Sequence, residues 1–381
     1  MHGPNAGPPL RILHILRAPV GGIFRHVLDL AQGQVSRGHQ VGLVVDSRTG
    51  GERAKEALEA IEPQLALGVN RIAIRREVNP LDLAGLLRLA GRINEIGPDV
   101  LHGHGAKGGA FARLTRTRKR AIHVYTPHGG SLHYGRRSLH GMVYSSLERV
   151  LMRRSDLLLF ESRFAADTYR SIVGTPRCTV RVVHNGVTEA EFEPVVPADD
   201  ATDLVYVGEF RHIKGADLLI DAVAALRRLG RDVSLTLAGD GEETAALQEQ
   251  VAHRELAGAV RFIGHVPARH GFSRGRLLVV PSRGDSLPYV VIEAGAAGIP
   301  MLAARVGGIP EILGSASTRL FTPDDPLAMA EAVANALDDT QAVQADAHAL
   351  RERVRGRFSQ DAMVEGVLAG YRDAIAVPRI P

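Results

Sequence analysis

Short apolar runs alternate with longer amphipathic segments along the 381 residues of the chain. In the first half the apolar runs are nearly continuous, which is typical of strands in a parallel sheet that is covered on both faces. These runs predict strands at residues 10–16, 40–46, 71–74, 100–102, 123–126, 157–161 and 180–183. Apolar residues at helical spacing predict helices at residues 24–37, 80–96, 139–154 and 163–173.

The alternation breaks between residues 185 and 201, where an Asn-Gly pair, two prolines and two adjacent aspartates predict a linker. Beyond it, strands are predicted at residues 204–208, 233–239, 260–263, 277–281 and 300–304, and helices at 216–229, 243–255 and 288–297. Residues 326–376 are predicted to be helical throughout. The fold class that follows is α/β, with two doubly wound, Rossmann-like domains facing across a cleft.

Composition excludes several classes of protein. With 45% hydrophobic and 23% charged residues, the chain is globular rather than disordered or fibrous. The single cysteine, Cys178, excludes a disulfide framework and a cysteine-built zinc site. The polar N-terminus predicts no signal peptide, and no apolar run is long enough to span a membrane. We therefore expect a cytoplasmic protein.

The two halves of the chain carry opposite net charges. Residues 1–190 contain 27 Lys and Arg against 15 Asp and Glu, whereas residues 191–381 contain 19 against 27. A basic first half favours an anionic surface or a phosphate-bearing ligand as its partner. The alternative, that the two halves simply attract each other, stays open on composition alone.

Two glycine-rich turns follow predicted strands in the first half. Gly21 and Gly22 precede the helix predicted from residue 24, where they would let backbone N–H groups approach an anion or simply make a tight turn. Residues 103–108 have the spacing G-x-G-x-x-G, but residues 100–147 contain no Asp or Glu to bind the ribose of a dinucleotide. We therefore expect a strand-to-helix turn there, and no NAD site.

The same acid-free stretch holds eight Lys and Arg and six histidines. Five basic residues cluster around a predicted helix end: Arg113, Arg116, Arg118, Lys119 and Arg120. Such a cluster suits polyanionic phosphate or an anionic membrane surface, although a solvated helix end also explains it. His102 and His104 have no carboxylate nearby in sequence, and we expect no metal site there.

Loops after predicted strands carry the other candidate chemistry. Arg211 and Lys214 lie between a strand and a helix, where both can neutralise a diphosphate. Asp285 and Glu293 lie eight positions apart, so they can contact different parts of one elongated polyol ligand. Glu293 lies among apolar helix residues, which implies a partner or a ligand. His128 ends a strand before glycines, where it can bind a sugar hydroxyl or be structural.

Taken in order, these features resemble the retaining family-4 glycosyltransferases (glycosyl transferases group 1, GT-B fold). The similarity covers nearly the whole chain, and its ordered set of motifs is specific although most of them are weak singly. The motifs are Val183 to Val187, Lys214-Gly215, Ala238 to Gly241, Gly264 to Val266, Pro281 to Ala294 and Gly298 to Glu311. The resemblance implies an acceptor-binding domain over residues 1–188, a nucleotide-sugar domain over 189–357, and a last helix over 358–381 that packs back on the first domain.

Roles for individual residues follow from the same resemblance. It implies that His128 contacts the donor sugar, that Lys214 binds the diphosphate and that Glu293 binds the ribose. It implies further that Asp285 addresses the transferred sugar. The remaining candidate donor-binding residues are Gly21 and Gly22 near the phosphates, with Gly239, Gly241, His265, Ser286 and Leu287.

Two departures from the family pattern change this picture. The arginine that usually follows the glycine at position 208 is replaced by Glu209, so Arg211 is the candidate substitute. Asp285 stands where the family has Glu, and Pro288 removes a backbone N–H from the loop that addresses the transferred sugar. The donor sugar is therefore the property that the resemblance fixes least.

The function that this resemblance implies is transfer of a sugar, with retention, from a nucleotide-diphosphate donor to a hydroxyl acceptor. No D-x-D motif occurs, so cationic side chains and helix N-termini would replace a metal, and no cofactor is expected. The basic first half favours a lipid-linked acceptor of polysaccharide or glycolipid synthesis at the inner face of the cytoplasmic membrane. The alternatives are a related epimerase or phosphorylase, and a non-catalytic protein that binds sugar nucleotides.

Overall fold

The computed structural model describes residues 8–75, 81–117, 121–129 and 139–377. The chain divides into two compact units, and we name them unit 1 (Met1–Asn185 with Gln360–Pro381) and unit 2 (Gly186–Ser359). The domain limits expected from the sequence, after residues 188 and 357, lie a few residues from these limits. No helix in the described ranges combines the length and the apolar character needed to cross a bilayer.

A parallel sheet of order β3-β2-β1-β4-β5-β6-β7 forms the centre of unit 1. Its strands are β1 (Arg11–Leu16), β2 (Gln40–Asp46), β3 (Val69–Ile72), β4 (Val100–His104), β5 (Ile122–Thr126), β6 (Leu157–Phe160) and β7 (Thr179–Val182). The helices of this unit are α1 (Gly21–Val35), α2 (Gly51–Ile61), α3 (Leu81–Ile96), α4 (Gly105–Leu114), α5 (Leu139–Met152), α6 (Arg163–Ile172) and the last helix of the chain, α14 (Gln360–Ala376). Alternate residues of β1 enter different cores: Ile12 packs with residues of α1 and α14, and Leu13 packs with residues of α3 and α4.

Unit 2 repeats this plan with a six-stranded parallel sheet of order β10-β9-β8-β11-β12-β13. The strands are β8 (Thr202–Val207), β9 (Leu235–Ala238), β10 (Val260–Gly264), β11 (Gly275–Val280), β12 (Met301–Ala304) and β13 (Leu320–Phe321). The helices are α7 (Ala216–Arg228), α8 (Thr244–His253), α9 (Ala268–Phe272), α10 (Tyr289–Ala296), α11 (Ile309–Leu313), α12 (Pro326–Asp338) and α13 (Thr340–Arg357). Two apolar cores cover the two faces of this sheet.

The strand order reverses once in each unit, between β1 and β4 in unit 1 and between β8 and β11 in unit 2. In open parallel sheets, the loops at the carboxyl ends of the two strands that flank such a reversal diverge, and they leave room for a ligand. These loops therefore define where each unit can build a site.

Three expectations about elements were wrong. Helix α1 begins at Gly21, so both glycines of the first turn belong to the helix. Residues 326–376 form three helices, because Asp339 caps the start of α13 and the chain leaves helical geometry before Gln360. The sequence pattern also missed α2, α9, α11 and the two-residue strand β13.

Arg113 is not part of a surface cluster, which corrects the expectation from sequence. Its side chain is buried and donates two hydrogen bonds to the Glu148 carboxylate, at 3.0 and 2.9 Å. Its guanidinium also lies over the Tyr125 ring, 3.8 Å from the centroid. Burial alone would lower the pKa of Arg113, but the charge and hydrogen bonds of Glu148 raise it on balance. The pair thus joins α4 to α5 inside unit 1.

We predict that Arg113→Ala lowers the free energy of unfolding by about 3–5 kcal/mol, because it leaves Glu148 buried without its partner. Urea denaturation measures the change. Arg113→Met combined with Glu148→Leu replaces both charges by apolar groups and should recover most of the loss. A single Arg113→Ala variant as stable as the parent protein would contradict this assignment.

Candidate active site

The two loops at the strand reversal of unit 2 are joined by an ion pair. Lys214 lies in the loop after β8 and Asp285 lies in the loop after β11. The distance from Lys214 Nζ to Asp285 Oδ1 is 2.7 Å, with side-chain exposures of 28% and 13%. The structure thus brings together the two residues that the sequence analysis placed on the diphosphate and on the transferred sugar.

Close backbone approaches hold these loops in place. Gly215, at φ +73°, packs so tightly that a Cβ would lie 2.2 Å from the Pro281 carbonyl oxygen. The Arg283 N–H donates to the Ile213 carbonyl at 2.9 Å, which joins the loops directly. At Gly307 (φ +56°) a Cβ would lie 1.5 Å from the Asp285 carbonyl oxygen, so only glycine fits there. The backbone therefore fixes Lys214 and Asp285 relative to each other.

Arg283 braces the same loops with its side chain. Its guanidinium donates to both carboxylate oxygens of Asp217, at 2.8 and 2.6 Å, and to the His212 carbonyl at 2.7 Å. Burial alone would raise the pKa of Asp217, but the hydrogen bond and charge of Arg283 lower it on balance. Sequence analysis missed this arginine, although an arginine in a Pro-Ser-Arg-Gly loop at a strand end was a usable signal.

The second carboxylate oxygen of Asp285, Oδ2, is buried and has no hydrogen-bond partner in the described part of the chain. An ionised carboxylate accepts about four hydrogen bonds, so this oxygen can accept a hydrogen bond from a ligand.

Burial and the nearby charge of Asp285 raise the pKa of Tyr206. Its hydroxyl donates to the Glu209 carbonyl at 2.8 Å and supports the loop after β8.

Arg211 lies in the same loop, but its ion pairs are loose. Its guanidinium lies 3.5 Å from Glu209 and 3.9 Å from Glu242, and its side chain is half exposed. Such exposed pairs hold a side chain weakly, so the guanidinium is free to reorient. Its substitution for the usual arginine stays a prediction.

The other candidate residues of unit 2 lie in neighbouring positions. Gly239 and Gly241 pack beneath the loop after β8, where Cβ atoms would lie 1.8 Å from the Gly208 oxygen and 2.4 Å from the Phe210 oxygen. His265 is exposed just beyond β10, and Glu293 is half buried in α10. Ser286 is half buried and Leu287 is buried in the loop before α10.

Unit 1 contains a cluster of five histidines at the carboxyl edge of its sheet, and we call it the histidine cluster: His14 on β1, His26 on α1, His102 and His104 on β4, and His128 after β5. Four of these side chains are buried, and His128 is half buried. Its backbone lies in the left-handed region, at φ +54°, followed by Gly129 at +72°. His102, His104 and His128 were singled out from sequence, whereas His14 and His26 were missed.

Burial keeps the histidine cluster uncharged. It lowers the pKa of His14 to about 4, and burial together with the charge of His14 lowers the pKa of His26 to about 4. Burial and the neighbouring rings also place the pKa of His102, His104 and His128 well below the ordinary value. Among the residues that the structure describes, three groups of side chains have ligand atoms close enough for a metal: His14, His102 and His104; His26, His104 and His128; and His212, Asp217 and Glu243.

The glycines and basic residues predicted in unit 1 have separate fates. Gly21 and Gly22 are exposed in the first turn of α1, after the strand β1 that flanks the reversal. Arg116 is exposed after α4, whereas Arg113 is buried as described above. Arg118, Lys119 and Arg120 lie outside the described residues.

Solved structures share the architecture of the whole chain. Sucrose-phosphate synthase from Thermosynechococcus elongatus superposes with a TM-score of 0.79 at 21% identity, over 96% of this chain and 99% of that one. Anabaena Alr3699/HepE, solved in complex with UDP-glucose, gives a TM-score of 0.79 at 18% identity, over 96% and 100%. The fold is therefore GT-B, as the sequence predicted.

Sequence comparisons define the class of protein. Glycogen synthase of Mycobacterium tuberculosis is 26% identical over 95% of this chain and 93% of its own length. D-inositol 3-phosphate glycosyltransferase of Acidothermus cellulolyticus is 27% identical over 94% and 87%. The family model described as Glycosyltransferase Family 4 matches residues 20–191, and the one described as Glycosyl transferases group 1 matches residues 201–339.

The chain belongs to the group 1 glycosyltransferases and is a transferase. This confirms the family and the enzyme class that the sequence motifs indicated. The comparisons do not favour the epimerase, phosphorylase or non-catalytic alternatives.

We predict that acid destabilises unit 1 before pH 4 is reached. Unfolded histidines bind a proton near pH 6.5, whereas folded His14 and His26 bind one only near pH 4. The free energy of unfolding is therefore highest above the pKa of an unfolded histidine. It decreases as the pH is lowered, by about 1.4 kcal/mol per pH unit for each buried histidine. Calorimetric Tm values between pH 5 and 7.5 measure the slope.

The matched variants are His26→Gln and His253→Gln, because His253 is an exposed histidine of unit 2. The first should flatten the dependence of Tm on pH, and the second should leave it unchanged. Equal slopes in both variants would contradict the assignment of the acid sensitivity to the histidine cluster.

Proposed function

We propose that this transferase moves a sugar from a nucleotide-diphosphate donor to a hydroxyl acceptor, with retention of configuration and without a metal ion. The observation that carries the proposal is the Lys214–Asp285 pair at the strand reversal of unit 2. It puts a cation beside a carboxylate whose second oxygen is buried and has no hydrogen-bond partner among the described residues. A diphosphate and a sugar hydroxyl supply the two complementary groups. The neighbour solved with UDP-glucose supports a nucleotide sugar as donor.

Departure of the diphosphate is the step that needs charge. As the bond from the anomeric carbon to the diphosphate oxygen breaks, negative charge grows on the leaving group and positive charge grows on the sugar ring. Lys214 Nζ can donate to a diphosphate oxygen, and backbone N–H groups at the start of α7 add the positive end of a helix dipole. Asp285 Oδ2 can accept from a hydroxyl of the transferred sugar and so orient the ring.

Charge pairing in the same loops supports a reaction without a metal ion. Of the side chains in unit 2 that could hold an ion, Asp217 already receives both arms of the Arg283 guanidinium. Asp285 receives the Lys214 ammonium. A divalent cation would have to displace these internal cations, which supports neutralisation of the diphosphate by side chains.

The function is tested by incubating the protein in EDTA with a panel of UDP-, GDP- and ADP-sugars and a panel of saccharide and polyprenyl-diphosphate-linked saccharide acceptors. We expect nucleoside diphosphate release from one donor, in amounts that depend on acceptor and match the glycosylated product. Loss of this activity in EDTA and its return with Mg²⁺ would contradict the metal-free part. If no donor raises the Tm or is consumed, the whole assignment fails.

We predict that Lys214→Ala lowers turnover at least about a hundredfold, since one charge-stabilising contact to a leaving group is worth about 3 kcal/mol. Steady-state kinetics with the preferred donor measure it. Lys55→Ala is the matched control, because Lys55 pairs with Glu52 on the exposed surface of α2. Near-normal turnover in Lys214→Ala would remove Lys214 from the mechanism.

We further propose that the acceptor is lipid-linked and is met at an anionic membrane surface, with α5 as the contact. This helix exposes four apolar side chains on one side: Met142, Val143, Leu147 and Val150. Exposed arginines extend the patch: Arg149, Arg153 and Arg154. Glu148 faces inward to Arg113, which turns the apolar side of α5 outward. An apolar stripe beside cations is typical of a helix that lies in a membrane interface.

We predict that the protein sediments with anionic phospholipid vesicles at low salt and that binding weakens as salt is added. Val143→Asp should lower the bound fraction severalfold, because it places a carboxylate in the apolar patch. Leu229→Asp makes the same change at a residue of unit 2 that is 79% exposed, and it should leave binding unchanged. Absence of sedimentation at low salt would sink the membrane contact while leaving the transferase assignment intact.

A further inference from the structure

We propose that Gln34, His14 and His104 form a hydrogen-bonded chain that fixes the tautomer of His128, with Nε2 protonated and Nδ1 bare. They are positioning residues that act through His128. The inference rests on the proposed function, together with the contact between His128 and the donor sugar that the family resemblance implies.

The contacts run in one line from the core to the surface. Gln34 Oε1 lies 2.8 Å from His14 Nε2, and His14 Nδ1 lies 3.0 Å from His104 Nε2. His104 Nδ1 lies 3.0 Å from His128 Nε2. The first three side chains are buried, and His128 is partly exposed. The chain therefore has a closed inner end and one end that solvent and ligands can reach.

The amide oxygen at the inner end sets the direction of every proton. An amide oxygen only accepts, so His14 must carry its proton on Nε2. A neutral imidazole has one N–H, which leaves His14 Nδ1 as an acceptor and puts the proton of His104 on Nε2. The same step puts the proton of His128 on Nε2, where it donates to His104 Nδ1. His128 Nδ1 then keeps its lone pair, so it can accept a hydrogen bond from a sugar hydroxyl.

A defined order of protons along the chain requires neutral rings, and the surroundings keep the rings neutral. The rings of His26 and His102 lie against this hydrogen-bonded chain. The His102 ring is hydrogen-bonded to the Tyr371 hydroxyl and to the Thr126 hydroxyl. These neighbours offer rings and hydroxyls rather than carboxylates. Burial and the neighbouring rings disfavour an imidazolium and lower the pKa of His104 and His128.

A bound metal fits these distances less well than protons do. Two imidazole nitrogens on one tetrahedral zinc ion, at about 2.0–2.1 Å each, are separated by about 3.3–3.4 Å. The nitrogen pairs along the chain are 3.0 Å apart, which is the separation of a shared proton. The distances therefore favour hydrogen bonds over a shared metal ion, and the experiment below also measures the metal content of the protein.

The experiment labels histidine with 15N in the full chain and records ring-nitrogen correlation spectra without donor at pH 7. In the parent protein we expect His128 to show a protonated Nε2 and an unprotonated Nδ1. Gln34→Leu removes the acceptor that sets the order, and His104→Phe breaks the chain in its middle. Both should give His128 a mixture of tautomers and lower kcat/KM for the donor about three- to tenfold. If leucine prevents folding, Gln34→Met replaces it.

Thr126→Val is the matched control, because it removes a buried hydrogen bond to His102 without touching the chain. It should leave the His128 tautomer unchanged. A proton on His128 Nδ1 in the parent protein, an unaltered tautomer in both chain variants, or a stoichiometric metal with unprotonated ring nitrogens would each overturn the inference. Since the spectra need no donor, they test the order of protons separately from the proposed function, which fails instead if no donor is consumed.

Discussion

The ion pair between Lys214 and Asp285 is the contact on which the site of unit 2 depends. It joins the two loops that diverge at the reversal of strand order, where a parallel sheet leaves room for a ligand. The pair is only partly exposed, so its charges interact more strongly than a surface pair would. Arg283 hydrogen-bonds the flanking loop, and the other oxygen of Asp285 has no hydrogen-bond partner in the described part of the chain. The Arg283 guanidinium thus holds the loops in place, while the Lys214 ammonium lies beside Asp285 at the strand reversal.

The histidine cluster of unit 1 solves a different physical problem. Five imidazoles close together would repel one another if charged, and burial removes the water that would screen them. The fold keeps them neutral and satisfies their nitrogens with hydroxyls, amides and each other. A neutral ring has one donor and one acceptor, so a chain of such rings has a direction. This gives the buried polar groups of the cluster a defined orientation at the carboxyl edge of the sheet.

The position of charged residues also determines which side chains unit 1 exposes on its surface. Arg113 was expected on the surface because five basic residues lie close together in sequence, but α4 is short and its inward side faces α5. Glu148 meets Arg113 there, so both charges are used internally. The apolar residues of α5 then face outward, because the ion pair fixes which side of the helix is buried. The ion pair therefore removes Arg113 from the basic surface, and it also leaves the apolar side chains of α5 exposed.

The amino-acid sequence by itself determined the alternation of strands and helices, the two-unit organisation and the family. Period and motif order are local properties that survive without knowledge of contacts. It also put Lys214, Asp285 and His128 among the candidates, because they lie in loops after apolar strands and match motifs of the family. The meeting of Lys214 with Asp285 across 71 positions, the burial of Arg113 and the line from Gln34 to His128 were decided by the tertiary structure. These depend on which strands become neighbours and which helix face turns inward, and that is set by packing between residues far apart in the chain.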